Sequence, residues 1–252
     1  MKFKYVLGID FGGSGIKGAP VDTKKGVLLE KRFRLPTPNP ATPSDVANVI
    51  HDVVEHFNWV GPVGLAFPAV VQNGIIRTAA NIDKSWIGVN ASELIGERIG
   101  LETYVVNDAD AAGMAEMKFG AGKGKKGSVF LITIGTGIGT VLFSKRKLIP
   151  NTEFGHIYLD NGVDAELMTS NAVRKREKLS WDEWGKRLDT YLHEMERLLW
   201  PELIIIGGGI SKRPNDYLDF LTIETDYTIA KLKNDAGIIG AALAAKANRK
   251  QS

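Results

Sequence analysis

Cysteine is absent from the 252 residues, which excludes disulfides and thiolate metal sites. Long apolar runs are missing as well: no stretch is long enough to cross a bilayer. The N-terminus carries no signal-peptide pattern, because Met1-Lys2-Phe3-Lys4-Tyr5 leads directly into a β-prone segment. These absences set the expectation of a cytoplasmic chain with no membrane partner. A large net charge is missing too, with 32 Lys and Arg against 29 Asp and Glu for a net charge of +3. No nucleic-acid recognition motif and no basic stretch interleaved with aromatics occurs, so nucleic acid is not an expected partner.

What remains is ordinary for a folded chain: 44% hydrophobic and 24% charged residues. The length allows one large domain or two smaller ones sharing a cleft. The positive charge is clustered. Lys123, Lys125 and Lys126 form one group, Lys145, Arg146 and Lys147 a second, and Arg174, Lys175, Arg176 and Lys178 a third. Each group reads either as a solvated loop or as part of a surface that draws in a polyanion.

Three times an apolar, β-prone run breaks into a glycine-rich turn, over 6–15, 129–140 and 203–209. Short β-branched runs ending in glycine read as buried strands feeding tight loops. Such turns expose backbone N–H groups and admit close approach, which suits phosphate oxygens. Three of them, with Asp, Thr and Ser at the turns, suggest a site for a polyphosphorylated ligand.

Strands near 4–10, 18–22 and 27–34 predict an opening antiparallel meander. Pro36, Pro38, Pro40 and Pro43 mark a connector, and a helix follows over 44–57, with Val46, Val49, Ile50, Val53, Val54 and Phe57 on one face. A buried strand over 63–67 ends at Pro68. Asn90 with Glu93 caps a short helix, and 103–106 is another strand. The outline then repeats around Gly135, with a return strand over 139–143. Ser180-Trp181-Asp182-Glu183 is a capping box. It opens a long helix whose Trp181, Trp184, Leu188, Tyr191, Leu192, Met195 and Leu199 face a core. Trp200-Pro201 stops it. A last, alanine-rich helix over 236–247 places Gly237 and Gly240 on one face, suited to tight packing. The two similar halves predict two α/β lobes, 1–107 plus 236–252 and 108–235.

These segments resemble the actin-like ATPase superfamily. Asp10-Phe11-Gly12-Gly13-Ser14-Gly15-Ile16-Lys17-Gly18 is similar to its first phosphate motif, Ile134-Gly135-Thr136-Gly137-Ile138-Gly139 to the second, and Ile206-Gly207-Gly208-Gly209 to the adenosine motif. Asn107-Asp108-Ala109-Asp110-Ala111-Ala112 and Glu153-Phe154-Gly155-His156 resemble the sugar-site motifs of the ROK sugar kinases. Within that family, the strings over 12–22 and 79–88 are most similar to the polyphosphate glucokinase branch. The resemblance implies an α/β, two-lobed actin-like ATPase (ribonuclease H-like) fold with a central cleft. It implies phosphorylation of glucose at the C6 hydroxyl, with inorganic polyphosphate, ATP or both as donor and polyphosphate preferred. It also implies a homodimer, to which the long helix from Ser180 would contribute. The rival readings are a strictly ATP-dependent hexokinase for glucose or mannose and a non-catalytic, sugar-responsive regulator. Such regulators carry a helix-turn-helix ahead of the kinase-like domain, and none is expected where the first phosphate strand begins within a few residues of Met1.

The residues then take expected roles. Asp108, just after a strand and at the start of a helix over 109–117, is either a helix N-cap or the general base for the attacking hydroxyl; the resemblance favours the base. Asp10 either fixes the hairpin through an Asx turn or holds Mg²⁺, directly or through water. Gly12, Gly13 and Ser14 would give donors to phosphate, with Lys17 an added cation or a solvated strand residue. Gly135, Thr136 and Gly137 would cradle the donor from the other lobe, and Gly207, Gly208 and Gly209 would serve a nucleoside. The resemblance makes Glu153, His156, Glu166 and Asn107 partners of sugar hydroxyls. Asn81 joins them unless it is only a turn residue. The family's cysteine-rich zinc loop is absent, so no zinc is expected and His156 reads as a sugar partner.

Overall fold

Tyr5–Gly12 (β1) and Gly15–Asp22 (β2) form an antiparallel hairpin, in register from Tyr5 opposite Asp22 to Gly12 opposite Gly15. The computed structural model describes residues 4–80, 82–159 and 162–248. Val27–Leu28 (β3) and Phe33–Leu35 (β4) follow. The single strand predicted over 27–34 is thus two pieces, both paired with β2 but at opposite ends. Leu29 still donates to the Pro20 carbonyl at 2.8 Å. Pro20 has no N–H to return, so the ladder lapses there.

Helix α1, Pro43–His56, begins as proline-first helices do: Thr42 accepts from the Asp45 N–H and Pro43 occupies the first turn. Its buried face, Val46, Ala47, Ile50, Val53 and Val54, joins a core with Leu7, Ile9, Phe11, Leu65 and Phe67. Val63–Phe67 (β5) lies parallel to β1. The small hairpin Val71–Gln72 (β6) and Ile75–Ile76 (β7) comes next, then α2, Ala91–Ile99, capped by Asn90 as its sequence predicts. Thr103–Asn107 (β8) runs parallel to β5, and α3, Asp108–Phe119, starts at its end. The first sheet has the order β3-β2-β1-β5-β8, with β4 also on β2.

The second sheet repeats the theme of hairpin plus parallel neighbour. Val129–Ile134 (β9) pairs antiparallel with Ile138–Ser144 (β10), which pairs with Lys147–Ile149 (β11). Two short helices follow, Ala165–Thr169 (α4) and Asn171–Arg176 (α5). The Ser180 capping box opens α6, Trp181–Leu199. Trp184, Leu188, Tyr191, Leu192 and Met195 of α6 pack on Phe130, Ile132 and Ile204. Leu203–Gly208 (β12) lies parallel to β9, with Tyr227–Ile229 (β13) outside it, for the order β11-β10-β9-β12-β13.

The last helix, Ala236–Asn248 (α7), returns to the first sheet. Three glycines give it room. A Cβ on Gly8, Gly64 or Gly240 would strike the carbonyl of Ile238, Ala241 or Ala111 respectively. Backbone therefore meets backbone where α7 crosses β1, β5 and α3. The chain divides into two compact units, Met1–Phe119 with Asn234–Ser252, and Gly120–Lys233. The sequence-based boundary at 107/108 would have given α3 to the second unit; the close α3–α7 crossing keeps it in the first. Among the described residues no helix is long and apolar enough to cross a membrane.

Candidate functional site

In the first unit, β1 and β2 are joined by the turn at Gly12–Gly15. Thr37 Oγ1 donates to the Gly12 carbonyl at 2.6 Å, and the Arg34 guanidinium donates to the Ser14 carbonyl at 2.5 Å. Both braces come from residues that the sequence reading passed over. Gly13 and Ser14 are exposed. Asp10 and Lys17 are opposite residues of the hairpin, and Lys17 Nζ lies 3.0 Å from Asp10 Oδ2. Lys17 is therefore an ion-paired residue rather than a solvated one. A Cβ on Gly237 would crowd Asp10, so the first turn of α7 lies against that carboxylate.

Asn107 and Asp108 sit where β8 becomes α3 without an intervening loop. The helix is capped by Asn107: its Oδ1 accepts from the Asp110 N–H at 3.0 Å, and its Nδ2 donates to the Ala69 carbonyl at 3.0 Å. Asn107 is buried, 8% exposed, and its amide is spent first on the scaffold. Its expected part as a sugar partner would use the remaining amide hydrogen and lone pair. Asp108 is half-buried, and its Oδ1 accepts from the Ala109 N–H at 2.8 Å. Because Asn107 caps the helix, Asp108 is not needed as the cap.

In the second unit, the β9–β10 turn closes with Gly135 N–H donating to the Gly137 carbonyl at 2.9 Å, and Thr136 is exposed. Glu166 Oε2 accepts from the Ile138 N–H at 2.7 Å. A Cβ on Gly137 would collide with that oxygen. The glutamate predicted for the sugar site is thus built into the flank of the glycine turn predicted for the donor.

Glu153 precedes a single helical turn, Phe154–His156. Thr140 Oγ1 donates to the Thr152 carbonyl at 2.7 Å and accepts from the Phe154 N–H at 3.0 Å, which docks this segment on β10. His156 Nδ1 lies 3.0 Å from Asp164 Oδ2, and its Nε2 lies 3.9 Å from Glu153 Oε2. Asp164 Oδ1 accepts from the Glu166 N–H at 2.8 Å and caps α4. Burial pushes the Glu153 carboxyl up; the charge of Glu166 adds to this and His156 opposes it. Burial alone would lower His156, but the Asp164 hydrogen bond and the charges of Glu166, Asp164 and Glu153 outweigh it and raise it. Asp164 was missed from sequence; its one signal was its place directly before a short helix.

Gly207 is buried at the end of β12, while Gly208 and Gly209 are exposed. Gly208 has φ +78°, and a Cβ there would strike the Ile134 backbone. Asn81 lies outside the described residues. Of the basic groups, Lys123, Lys125, Lys126, Lys145, Arg146, Lys147, Lys175 and Lys178 are exposed. Arg174 instead stacks on Trp181 at 3.9 Å, and Arg176 lies 3.3 Å from Glu177. A depression of about 1060 Å³ on α6, lined by His193, Glu194, Arg197 and Trp200 among others, contains none of the sequence-assigned residues.

Two sheets, each led by a hairpin with a glycine turn and extended by a parallel strand, define an actin-like ATPase fold. The ROK family model matches residues 6–176, and the chain belongs to the ROK family. The polyphosphate glucokinase of Mycobacterium tuberculosis is 46% identical over 246 residues, 97% of this chain and 92% of that one. The structure of an inorganic polyphosphate/ATP-glucomannokinase from Arthrobacter sp. strain KM superposes with a TM-score of 0.93 at 47% identity. It covers 98% of this chain and 100% of that one. A ROK family glucokinase from Streptomyces griseus, solved with glucose and AMPPNP, gives a TM-score of 0.84 at 25% identity over 96% and 99% of the two chains.

Proposed function

We propose that this chain transfers a phosphoryl group to the C6 hydroxyl of glucose, with inorganic polyphosphate and ATP as donors and polyphosphate preferred. The near full-length similarity to relatives named for polyphosphate and glucose carries the reading. Asp108 takes the proton of the attacking hydroxyl. Its carboxylate stands at the first turn of α3, where the helix favours negative charge, and Asn107 performs the capping. Glu153, His156 and Glu166 hydrogen-bond sugar hydroxyls, with Asn107 and Asn81 as further partners. The turns at Gly12–Ser14 and Gly135–Gly137 offer backbone donors to phosphate, and Gly207–Gly209 receive the nucleoside of ATP.

Among the described residues no group of three or more His, Asp or Glu side chains is arranged to hold a metal ion. Mg²⁺ commonly takes one or two carboxylates and completes its shell with substrate phosphates and water. Asp10, one hard carboxylate beside a glycine turn, fits that pattern. When bound, the ion would neutralise charge on the transferring phosphoryl group. Lys17, paired with Asp10, would turn toward the same phosphate. The reading also includes a cytoplasmic homodimer; support for the dimer is the exposed apolar end of α6 at Leu198 and Trp200, 48% and 79% exposed.

The test is glucose phosphorylation with either polyphosphate or ATP as sole donor, with mannose as a second acceptor. Transfer from both donors, faster from polyphosphate, is expected. Transfer from ATP alone would leave the strictly ATP-dependent hexokinase as the function.

A further inference from the structure

The register of the first sheet sets three charged side chains in one row. Asp10 of β1 is opposite Lys17 of β2, and Lys17 is opposite Arg34 of β4. Directly opposed residues of antiparallel strands project from the same face, and the same alternation puts Gly12 and Gly15 on that face. The row runs beside the turn at Gly12–Gly15, with the Arg34 guanidinium lying over Gly15. A Cβ on Gly15 would meet Nη2 and Cζ of Arg34 at 2.5 Å.

The charges in this row do not balance. Like charges directly opposite on neighbouring strands are destabilising, yet Lys17 and Arg34 are held as such a pair. The row holds one carboxylate, Asp10, and Lys17 already claims it at 3.0 Å. Arg34 has no carboxylate partner among the described residues. Its contacts are the Ser14 carbonyl at 2.5 Å and the Ser14 hydroxyl at 3.4 Å, both neutral. Nearby Arg32 shows the contrast, with Asp235 at 3.0 Å. Arg34 is also exposed. An exposed, planar, five-donor cation, anchored by one edge beside a turn whose Gly13 and Ser14 are exposed, is suited to bind an oxyanion with its remaining donors.

We propose that Arg34 is a donor-binding residue: with Lys17 it grips a phosphoryl group of the donor at the first glycine turn. The inference rests on the kinase reading above. Its chemistry asks only for a phosphate chain, so it serves inorganic polyphosphate and the triphosphate of ATP alike. Nothing in the sequence marked Arg34, because its place beside Lys17 exists only through the β2–β4 pairing.

The experiment compares wild type with Arg34→Gln and Arg34→Lys. The KM for polyphosphate, ATP and glucose would be measured across a salt series, alongside calorimetric binding of inorganic tripolyphosphate. Loss of a hydrogen-bonded charge pair predicts a rise of about tenfold in the KM of both donors in Arg34→Gln, with the KM of glucose unchanged. The dependence of donor KM on salt should become shallower, because one screened attraction is gone. Arg34→Lys should recover part of the affinity and most of the salt dependence. A residue that merely braces the turn would alter thermal stability and leave the salt dependence as in wild type; that result, or an unchanged donor KM, overturns the proposal. If Arg34→Gln does not fold, the donor KM and tripolyphosphate affinity of Arg34→Lys decide, and values equal to those of wild type overturn the proposal. If wild type transfers phosphate from neither donor, the kinase reading fails by itself. Weaker tripolyphosphate binding in Arg34→Gln would still support the site, and equal binding would dismiss it.

Discussion

Asp164 holds two of the candidate sugar ligands at once. One carboxylate oxygen takes His156 Nδ1–H at 3.0 Å, and the other takes the Glu166 N–H at 2.8 Å. Glu166 in turn reaches the Ile138 N–H at 2.7 Å on the glycine turn. A single carboxylate thus fixes the ring of His156, starts the helix that carries Glu166, and links both to the β9–β10 loop. Asp164→Ala should raise the KM for glucose about tenfold through lost orientation, with a smaller effect on kcat. Asp164→Asn, which keeps the cap and one acceptor, should fall between. Steady-state kinetics in glucose check this; equal KM values in all three proteins would show that His156 needs no such support.

The same contact makes stability depend on pH in a defined direction. The folded protein holds the His156 proton more tightly than an ordinary histidine of 6.5, because Asp164, Glu166 and Glu153 face it. A group whose pKa is raised on folding contributes its stability below the unfolded value and loses it as pH rises through the folded value. Asp164→Asn removes the main favourable contact. Its deficit relative to wild type should therefore be larger near about pH 6 than near about pH 9. Urea midpoints at the two pH values measure it; a deficit that grew with pH would contradict the assigned contact.

Asp108→Asn keeps shape and removes the proton acceptor. General-base loss predicts a fall of about 10²–10⁴-fold in kcat. Glucose binding, measured by titration without donor, should stay within about threefold, since less than 1 kcal/mol is at stake. Unchanged turnover would exclude Asp108 as the base. Asn107→Ala should behave differently. It removes the α3 cap, at about 1 kcal/mol, and the tie to Ala69, so its melting temperature should drop as well as its activity.

Much of this was legible in the residues, for physical reasons that also explain what was not. Local signals survived: the Ser180 box opens α6, Asn90 caps α2, and glycine ends β12. These are interactions within one turn of chain. The gap between β3 and β4 was hidden, because it depends on Pro20 in the neighbouring strand rather than on residues 29–32. The Asn107-Asp108 pair was ambiguous, since either residue type caps a helix; only the bond from Asp110 N–H to Asn107 Oδ1 decides. Asp164 and Arg34 were missed because their partners come from a turn crossing and a strand register, and neither has a sequence period. The place of α3 was likewise set by backbone contact at Gly240, not by the apparent repeat.

That contact gives a stability prediction. Alanine is the better helix former, so Gly240→Ala would be favourable by about 1 kcal/mol in an open helix. Here the new Cβ would run into the Ala111 carbonyl, and backbone cannot step aside as a flexible side chain does. Overpacking of this kind costs about 1–3 kcal/mol, so the net sign should be destabilising. Calorimetry should show a melting temperature lower by several degrees. A rise instead would mean that α3 and α7 are not pressed together at Ala111.

The third glycine turn offers a test that would separate the two donors. Gly209 follows Gly208, whose positive φ suits glycine, is exposed, and has only the Ile134 carbonyl within 4 Å of a built Cβ, at 3.7 Å. Gly209→Leu should therefore fold, while its side chain occupies space over the end of β12. If Gly207–Gly209 receive a nucleoside, the variant should raise the KM for ATP by about tenfold or more, as steric exclusion from a subsite worth over 1.4 kcal/mol would do. Inorganic polyphosphate brings no nucleoside, so its KM should stay within about twofold of wild type. Parallel kinetics with the two donors give the ratio directly. Equal losses with both donors would assign the turn to phosphate, in common with Gly12–Ser14 and Gly135–Gly137. No loss with either would reduce it to a structural end for β12, with glycine at 208 required by its φ and by the nearby Ile134 backbone.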